Sequence, residues 1–249
     1  MIKYEEINSA GIIILNRPEK RNALHPEMIT AIVKKLHELK TNDKVKSLII
    51  TGEGKSFCAG ADLEYLNSLR TYSSIENEKD SENLADLFLQ LYHFPKPTIA
   101  AINGAAIAGG CGLASVCDFI VANNSNSKFG YPEVRIGFIP AIVSIFLIKK
   151  IGEGRAKKLL LTGDIIDGQN AFHIGLVDYL SDNPLEEAMQ LADKLSQNSN
   201  YSMTLTKQLI HSTSNLNVKE AVDYCVRLNA ISRTSSDFQN GLNNFLNKN

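Results

Sequence analysis

Apolar residues along the chain recur with two periods, one typical of strands and one typical of helices. Residues 25–42 place apolar side chains three and four positions apart, which predicts an amphipathic helix that begins near Pro26. Short β-branched runs predict strands at 11–16, 45–52, 97–104 and 117–123. Because strands and helices alternate, the pattern predicts an α/β fold with mainly parallel strands.

The second half of the chain is predicted to be mainly helical. Helical spacing recurs at 141–151, 153–162, 168–173, 184–197, 203–212, 217–231 and 234–247. We therefore divide the chain into a core, residues 1–195, and a helical C-terminal region, residues 196–249. The polar segment 73–87 is predicted to be a mobile loop that leads into a helix and covers a site.

Composition excludes several classes of protein. The 249 residues are 44% hydrophobic with a net charge of −1, which suits a globular core and gives no sign of general nucleic-acid or membrane-surface binding. The uncharged stretch 97–117 is rich in Ala and Gly, which favours buried strands and close packing over a membrane span. The N-terminus has acidic residues where a signal peptide has basic ones, so we expect no signal peptide.

The cysteines and histidines show no metal-binding pattern. Cys58, Cys111, Cys117 and Cys225 form no CxxC pair, and their spacing suits neither a zinc site nor a disulfide framework. We therefore expect no metal ion and a reducing, cytoplasmic location. No base is evident beside Cys111, so a thiolate nucleophile is not expected there.

Two glycine-bearing turns each follow a predicted strand, GKSFCAGADL at 54–63 and NGAAIAGGCGLA at 103–114. Neither matches the glycine patterns that bind phosphate in nucleotide-binding loops. Two turns that each offer one backbone N–H would suit a single oxygen that gains charge during a reaction, which is an oxyanion hole. Glycines that only allow close helix–sheet packing remain an open alternative.

Five motifs in order give the chain a recognisable pattern: NRPEKRNAL, GKSFCAGADL, NGAAIAGGCGLASVCDF, FGYPEVRIGFIP and LLLTGDIIDGQNAFHIGLVD. With them the chain resembles the crotonase superfamily, the enoyl-CoA hydratase/isomerase proteins, and GYPEVRIGFIPAIVS is most similar to methylglutaconyl-CoA hydratase-like members. The resemblance implies a crotonase-like spiral of β-β-α units with a helical C-terminal trimerisation region. It further implies a homotrimer, paired into a dimer of trimers, and an acyl-CoA thioester substrate that brings its own coenzyme A, so no cofactor is expected.

The resemblance also implies roles for individual residues. The N–H groups of Ala61 and Gly109 would hold the thioester oxygen of an enolate, Glu133 in GYPEV would move the proton, and the acyl group would lie against the glycine backbone. The adenine end of coenzyme A would lie along residues 59–63, and the phosphates of coenzyme A would lie near basic side chains. The C-terminal tail of a neighbouring subunit would also contact the coenzyme A. The implied substrate contacts are Ala59, Asp62, Leu63, Gly110, Lys20, Arg21, Lys55, Phe245 and Lys248. Asp62 is equally suited to cap the helix that follows it.

One departure from the family pattern leaves the reaction open. Gly112 occupies the place where the two-acid hydratases of the family carry a further Glu. Two carboxylates suit the addition of water, whereas Glu133 alone suits a 1,3-proton shuttle that moves a double bond. A hydratase of fatty-acid or branched-chain acyl-CoA breakdown is the first hypothesis, and an enoyl-CoA Δ-isomerase is the alternative. The loop 64–90 is expected to select the acyl chain.

A non-catalytic function is a further alternative. Some methylglutaconyl-CoA hydratase relatives bind RNA through a lysine-rich helix, and the matching segment here, 20–46, has a modest surplus of basic residues. No aromatic stacking residue lies among them, so nucleic acid is not favoured as a partner. The chain could also bind a CoA thioester without turning it over. No membrane partner is expected.

Overall fold

A computed structural model describes residues 1–247, which form two sheets and a set of surrounding helices. The strands are β1 Ile2–Ile7, β2 Ala10–Leu15, β3 Ser47–Gly52, β4 Ser56–Cys58, β5 Thr98–Ile102, β6 Ala105–Ile107, β7 Phe119–Asn123, β8 Lys128–Gly130, β9 Ile165–Asp167 and β10 Tyr179–Ser181. The larger sheet has the order β1-β2-β3-β5-β7-β10, and the smaller has the order β4-β6-β8-β9. Only the pairs β1–β2 and β8–β9 are antiparallel within these sheets.

The helices follow the strands in a repeating order. They are α1 Pro26–Lys40, α2 Leu63–Ser68, α3 Ser74–Tyr92, α4 Gly109–Ser115, α5 Ala141–Thr162, α6 Gly168–His173, α7 Pro184–Ser196, α8 Asn200–Thr213, α9 Val218–Arg233 and α10 Ser236–Leu246. Strands β3, β5 and β7 of the larger sheet are each followed by one strand of the smaller sheet and then by helical structure. The chain therefore winds through successive β-β-α units, as the family resemblance implied.

Buried apolar side chains form two clusters, one on either face of the larger sheet. The main cluster joins α1, α3, α4 and α5 to both sheets, and its largest members include Phe57, Phe88, Phe129 and Tyr131. The second cluster packs Ala188 and Ala192 of α7 against isoleucines and Val121 of the larger sheet. Since small alanines let α7 approach the sheet closely, this helix closes the outer face.

The predicted strands at 11–16, 45–52, 97–104 and 117–123 are confirmed as β2, β3, β5 and β7, and the predicted helices are all present. The two helical patterns at 141–151 and 153–162 form α5, with an interruption at Gly152, whose φ is 78°. The short strands of the smaller sheet were missed because three residues are too few to show a period of two.

The prediction of a mobile loop at 73–87 was wrong, because this segment begins α3. Ser73 and Glu76 form a capping box in which each side chain bonds the other residue's backbone N–H. The helix then buries Leu87, Phe88 and Leu91 on one face and leaves its polar residues in water. The expected acyl-selecting loop 64–90 is for the same reason mostly helical.

The described C-terminal helices α8, α9 and α10 contain no buried residue. Polar and aromatic contacts hold α8 to the core: the Thr204 hydroxyl donates to the carbonyl of Pro95, Lys207 forms an ion pair with Asp118, and His211 stacks on Tyr92. Large apolar side chains such as Val218 and Phe245 remain exposed. Within residues 1–247, no helix combines the length and apolar character that crossing a membrane requires.

Candidate active site

The first glycine-bearing turn presents the N–H group of Ala61. The N–H of Leu24 donates to the carbonyl of Gly60 at 2.7 Å, and the N–H of Asp62 donates to the carbonyl of Leu24 at 3.0 Å. A trans peptide places its C=O and N–H on opposite sides, so bonding the Gly60 carbonyl to Leu24 turns the Ala61 N–H away from Leu24. Among residues 1–247, no oxygen accepts a hydrogen bond from that N–H.

The second turn presents the N–H group of Gly109, the first residue of α4. Its peptide carbonyl, on Ala108, accepts from the N–H of Gly112 at 3.0 Å, so the Gly109 N–H points out of the helix. No acceptor for it exists within the described residues. A Cβ built on Gly60 would lie 3.5 Å from the Gly109 nitrogen, which places the two turns side by side.

Glu133 lies in a short 3-10 helix, Pro132–Ile136, that follows β8. Its Oε2 is buried and has no hydrogen-bond partner in the described part of the chain. Burial raises the pKa of this carboxyl, and its own backbone N–H opposes the shift in part. Arg135, which could have neutralised it, instead pairs with Asp164 at 3.3 Å. A half-buried carboxylate without a partner is suited to accept and return a proton.

The smaller sheet brings these three groups together. Strands β4, β6 and β8 are parallel neighbours, and they end at Cys58, Ile107 and Gly130. Ala61, Gly109 and Glu133 each follow one of these ends by two or three residues. The N–H of Ala108 also donates to the carbonyl of Gly130 at 2.8 Å, which ties the second turn to the strand that leads to Glu133. The carboxyl ends of parallel strands are where α/β proteins commonly build their sites.

The protein itself, rather than a ligand, excludes side chains at two glycines of α4. A Cβ on Gly110 would lie 2.1 Å from the carbonyl oxygen of Cys58, and a Cβ on Gly112 would lie 2.2 Å from Cγ1 of Val143. Close packing within the protein, the alternative left open by the sequence, therefore explains the glycines at positions 110 and 112. At Gly109 the nearest atom would be Cδ1 of Leu24 at 3.3 Å, so here the close approach of a ligand remains open.

Asp62, expected as a substrate contact, has both carboxylate oxygens engaged inside the protein. One oxygen accepts from the N–H groups of Glu64 and Tyr65 and so caps α2, and the other accepts from Arg17 at 2.8 Å. Burial raises the pKa of Asp62, but Arg17 and the two N–H donors outweigh it and lower the pKa. Only 4% of Asp62 is exposed. Its side chain holds the first turn in place.

The remaining expected substrate contacts divide by location. Lys20 is paired with Glu64 beside the first turn, and the carbonyl of the exposed Arg21 accepts from the N–H of Ala59 at 3.0 Å. Leu63 is 74% exposed at the start of α2. These four lie at the first turn with Ala61.

Two of the expected substrate contacts, Lys55 and Phe245, lie away from the first turn. Lys55 is exposed but precedes β4, at the opposite end of that strand from Ala61. Phe245 is 70% exposed near the end of α10, a helix that packs on α9. Lys248 lies outside the described residues.

Sequence reasoning missed the residues that support the first turn. Arg17 binds Asp62, and the fully buried Asn22 donates to the carbonyls of Glu53 and Ser56 while its own side-chain oxygen accepts from the Arg17 N–H. Both residues belong to the motif NRPEKRNAL, which the sequence analysis identified without predicting that it supports the first turn. A buried Asn in such a motif is a sign that a turn needs several hydrogen bonds.

Cys111 lies within α4 and behaves as an apolar residue. Burial raises the pKa of its thiol to about 12, and the thiol is therefore protonated at neutral pH. The nearby hydroxyls of Ser115 and Tyr131 bond each other at 2.9 Å. Within residues 1–247, no three His, Cys, Asp or Glu side chains come together as a metal site.

Comparisons with known proteins all lead to one family. Residues 5–249 match the family described as enoyl-CoA hydratase/isomerase. A Thermus thermophilus protein, provisionally named an enoyl-CoA hydratase, is 38% identical over 250 residues, which cover 100% of this chain and 98% of that protein. The 2,3-dehydroadipyl-CoA hydratase of Escherichia coli is 32% identical over 95% of this chain and 92% of its own.

A solved structure shares the fold over nearly the whole length. The crystal structure of an enoyl-CoA hydratase from Shewanella pealeana superposes with a TM-score of 0.95 at 30% sequence identity. The superposition covers 99% of this chain and 93% of that one. The described C-terminal helices are therefore part of a shared architecture.

Proposed function

Because the chain belongs to the enoyl-CoA hydratase/isomerase family, we propose that it hydrates a 2-enoyl-CoA thioester, with Ala61, Gly109 and Glu133 as its catalytic groups. The observation that carries this proposal is the meeting of three unpaired groups at one edge of the smaller sheet. The Ala61 and Gly109 N–H groups and the Oε2 atom of Glu133 all lack protein partners within the described residues. A site built to act on a ligand leaves such groups free.

The geometry suits a thioester whose oxygen gains negative charge. When water adds to the β-carbon of a 2-enoyl thioester, electrons move onto the thioester oxygen and form an enolate. Two N–H groups aimed at that oxygen stabilise the enolate more than the neutral carbonyl, and the loss of one such donor costs about 3 kcal/mol. Ala61 and Gly109 supply these donors in the proposal.

Glu133 then carries the proton in both directions. As a carboxylate it accepts a proton from the attacking water, and as a carboxylic acid it returns a proton to the α-carbon, so that water is added overall and the carboxylate is regenerated. The raised pKa of Glu133 supports this role, because it brings the two protonation states closer in free energy near neutral pH.

A second candidate, the Δ-isomerase, is favoured by one specific contact. Val143 fills the space beside Gly112 so completely that no side chain fits at position 112. Glu133 is thus not assisted by a carboxylate from that position, and a lone carboxylate suits a 1,3-proton transfer from the α-carbon to the γ-carbon. Hydration stays first because the relatives named above are called hydratases.

The proposal extends to the rest of the molecule. The backbone at Ala59–Leu63 holds the adenine of coenzyme A, and Lys20 and Arg21 meet its phosphates; Lys55 is left out of this contact because it lies at the other end of β4. Gly110 lines the site through its backbone. Residues 196–249 form the oligomerisation region of a homotrimer, paired as a dimer of trimers, in which Phe245 reaches a neighbour's coenzyme A. The exposed apolar side chains of α8–α10 support this assembly. Four free cysteines, of which three are buried, support a cytoplasmic location.

Two substrates separate the two candidates. The purified protein is given a 2-enoyl-CoA and, separately, a 3-enoyl-CoA, and the absorbance of the conjugated thioester is followed. Loss of the conjugated absorbance with the 2-enoyl substrate supports hydration. Appearance of that absorbance with the 3-enoyl substrate, without hydration, supports the isomerase. No change with either substrate, while a CoA thioester still binds, would indicate a non-catalytic binding protein.

A further inference from the structure

The residue between the smaller sheet and α4, Ala108, has a backbone conformation that alanine rarely adopts. Its φ is 52° and its ψ is −124°. This is the conformation that glycine supplies at the first central position of a type II′ turn, and a side chain there is strained. Such strain persists only where surrounding contacts enforce it, and it is concentrated at functional sites.

Two hydrogen bonds hold Ala108 in this conformation. Its N–H donates to the carbonyl of Gly130 at 2.8 Å, and its carbonyl accepts from the N–H of Gly112 at 3.0 Å. The second bond fixes the peptide group that also carries the Gly109 N–H, and so it fixes the direction of that donor. The strained backbone conformation of Ala108 therefore determines the direction in which the Gly109 N–H points.

The methyl group of Ala108 lies against Gly60, the residue that precedes the other candidate donor. A Cβ built on Gly60 would lie 2.9 Å from the Ala108 Cβ, so the methyl group rests on the Gly60 backbone. Gly60 has a φ of 91° and shares a peptide group with the Ala61 N–H. The methyl group of Ala108 thus contacts the residue whose carbonyl belongs to the peptide group of the Ala61 N–H.

We infer that Ala108 is a positioning residue for the oxyanion hole: its methyl group sets the spacing between the Gly60–Ala61 and Ala108–Gly109 peptide groups. The inference rests on the proposed function, since it assumes that both N–H groups bind one oxygen. A glycine at position 108 relaxes the backbone strain and removes the spacer, so the two turns become free to shift. Stability and catalysis then change in opposite directions, which a purely structural role would not produce.

The test uses Ala108→Gly in the full-length protein, with two matched controls. Ala108→Ser keeps the Cβ and is expected to retain turnover within about threefold of the unmodified protein. Asn8, at φ 54° in the turn between β1 and β2, is a remote residue that also has a positive φ, and Asn8→Gly is expected to leave turnover unchanged. Ala108→Gly is expected to keep or raise Tm, and to lower kcat about tenfold with little change in KM, less than the loss of a whole donor.

A bound 3-ketoacyl-CoA gives a second readout that does not depend on turnover. Such a thioester ionises to an enolate that absorbs in the ultraviolet, and a well-aimed pair of donors lowers the pH at which it ionises on the protein. Ala108→Gly is expected to shift that ionisation to higher pH, and Ala108→Ser and Asn8→Gly are expected to leave it in place.

The outcomes distinguish a failure of the positioning role of Ala108 from a failure of the proposed function. If the unmodified protein is active but Ala108→Gly keeps the same kcat and the same enolate ionisation, the positioning role is wrong and the proposed function stands. If Ala108→Gly lowers Tm by many degrees, the residue serves folding and the inference is also wrong. If the unmodified protein neither turns over enoyl-CoA nor binds the enolate, both the function and the inference fail.

Discussion

Two regions of the candidate site each carry an acidic residue, and the protein treats them in opposite ways. Asp62, at the first turn, is 4% exposed and is bound by Arg17 and two backbone N–H groups, which lower its pKa. Glu133, after β8, has a buried oxygen with no partner within residues 1–247, and burial raises its pKa. The comparison separates an acid that maintains the fold from an acid that is free to act on a ligand.

The largest expected effect comes from Glu133→Gln. We expect kcat to fall by about 10²- to 10⁴-fold, because an amide cannot accept the proton of water. Stability is expected to stay equal or to rise, since a neutral side chain avoids the cost of burying a charge. Enoyl-CoA turnover and thermal unfolding measure the two quantities.

Glu153→Gln is a matched control for this change, because Glu153 is exposed and, among residues 1–247, forms an ion pair with Lys157 alone, one turn away on α5. It is expected to alter neither turnover nor Tm noticeably. Full activity in Glu133→Gln would show that Glu133 does not transfer the proton, and Glu133 would then differ from Asp62 only in its environment.

Asp62→Ala is expected to have the opposite character. Removing one partner of a buried ion pair leaves the Arg17 charge uncompensated and costs about 3 kcal/mol of unfolding free energy. The cap of α2 is lost as well. Denaturant unfolding measures the change, and adding Arg17→Met should recover part of it. A variant with unchanged stability but no turnover would show that Asp62 serves the chemistry.

Gly112→Ala tests why Glu133 acts without a carboxylate from that position. Its Cβ would clash with Val143, and overpacking of this kind costs about 2 kcal/mol. Val143→Ala alone leaves a cavity, but the double variant should be less destabilised than the sum of the two changes. Additive losses in a double-mutant cycle would mean that Val143 does not control this space.

The contributions of Glu133 and Asp62 to the free energy of unfolding should change with pH in opposite directions. Because the pKa of Glu133 is raised, its ionisation costs stability, and that cost disappears as the pH falls through the raised pKa. Over the same range kcat/KM should fall about tenfold per pH unit as the carboxylate is protonated. Asp62 has a lowered pKa, so the stability it contributes above its ordinary pKa is lost only when the pH falls through the lower, folded value.

Rate profiles and unfolding curves over the acid range check both signs. The acid limb of the rate profile should persist in Arg135→Ala, because Arg135 is paired with Asp164 and not with Glu133. A limb that moves in Arg135→Ala would show that Arg135 sets the pKa of Glu133 after all.

Sequence reasoning found most long elements because their apolar spacing is a local property. It found α1 and α5 and four of the six strands of the larger sheet, and it missed β1 and β10. It interpreted the first part of α3 as a loop because the polar residues there hide the stripe of Leu87, Phe88 and Leu91. The capping residues Ser73 and Glu76 were the available sign of that helix.

For the site, the family resemblance singled out Ala61, Gly109 and Glu133, and all three follow the carboxyl ends of neighbouring strands of the smaller sheet. It could not separate the glycine that leaves room for a ligand from the glycines that pack against the protein. Gly110 meets Cys58 and Gly112 meets Val143, and neither contact leaves a trace in the spacing of the motif.

By itself, the sequence determined which segments become strands and helices, and which residues with suitable chemistry follow three of the strands. These properties depend on neighbours a few positions away, which the chain carries in any conformation. Only the tertiary structure decided that Asp62 is bound by Arg17, that Val143 fills the space at Gly112, and that Oε2 of Glu133 has no partner among residues 1–247. Each of these contacts joins residues that are distant in the chain and meet only when the sheets assemble. The interactions therefore exist only in the packed fold, and local sequence does not reveal them.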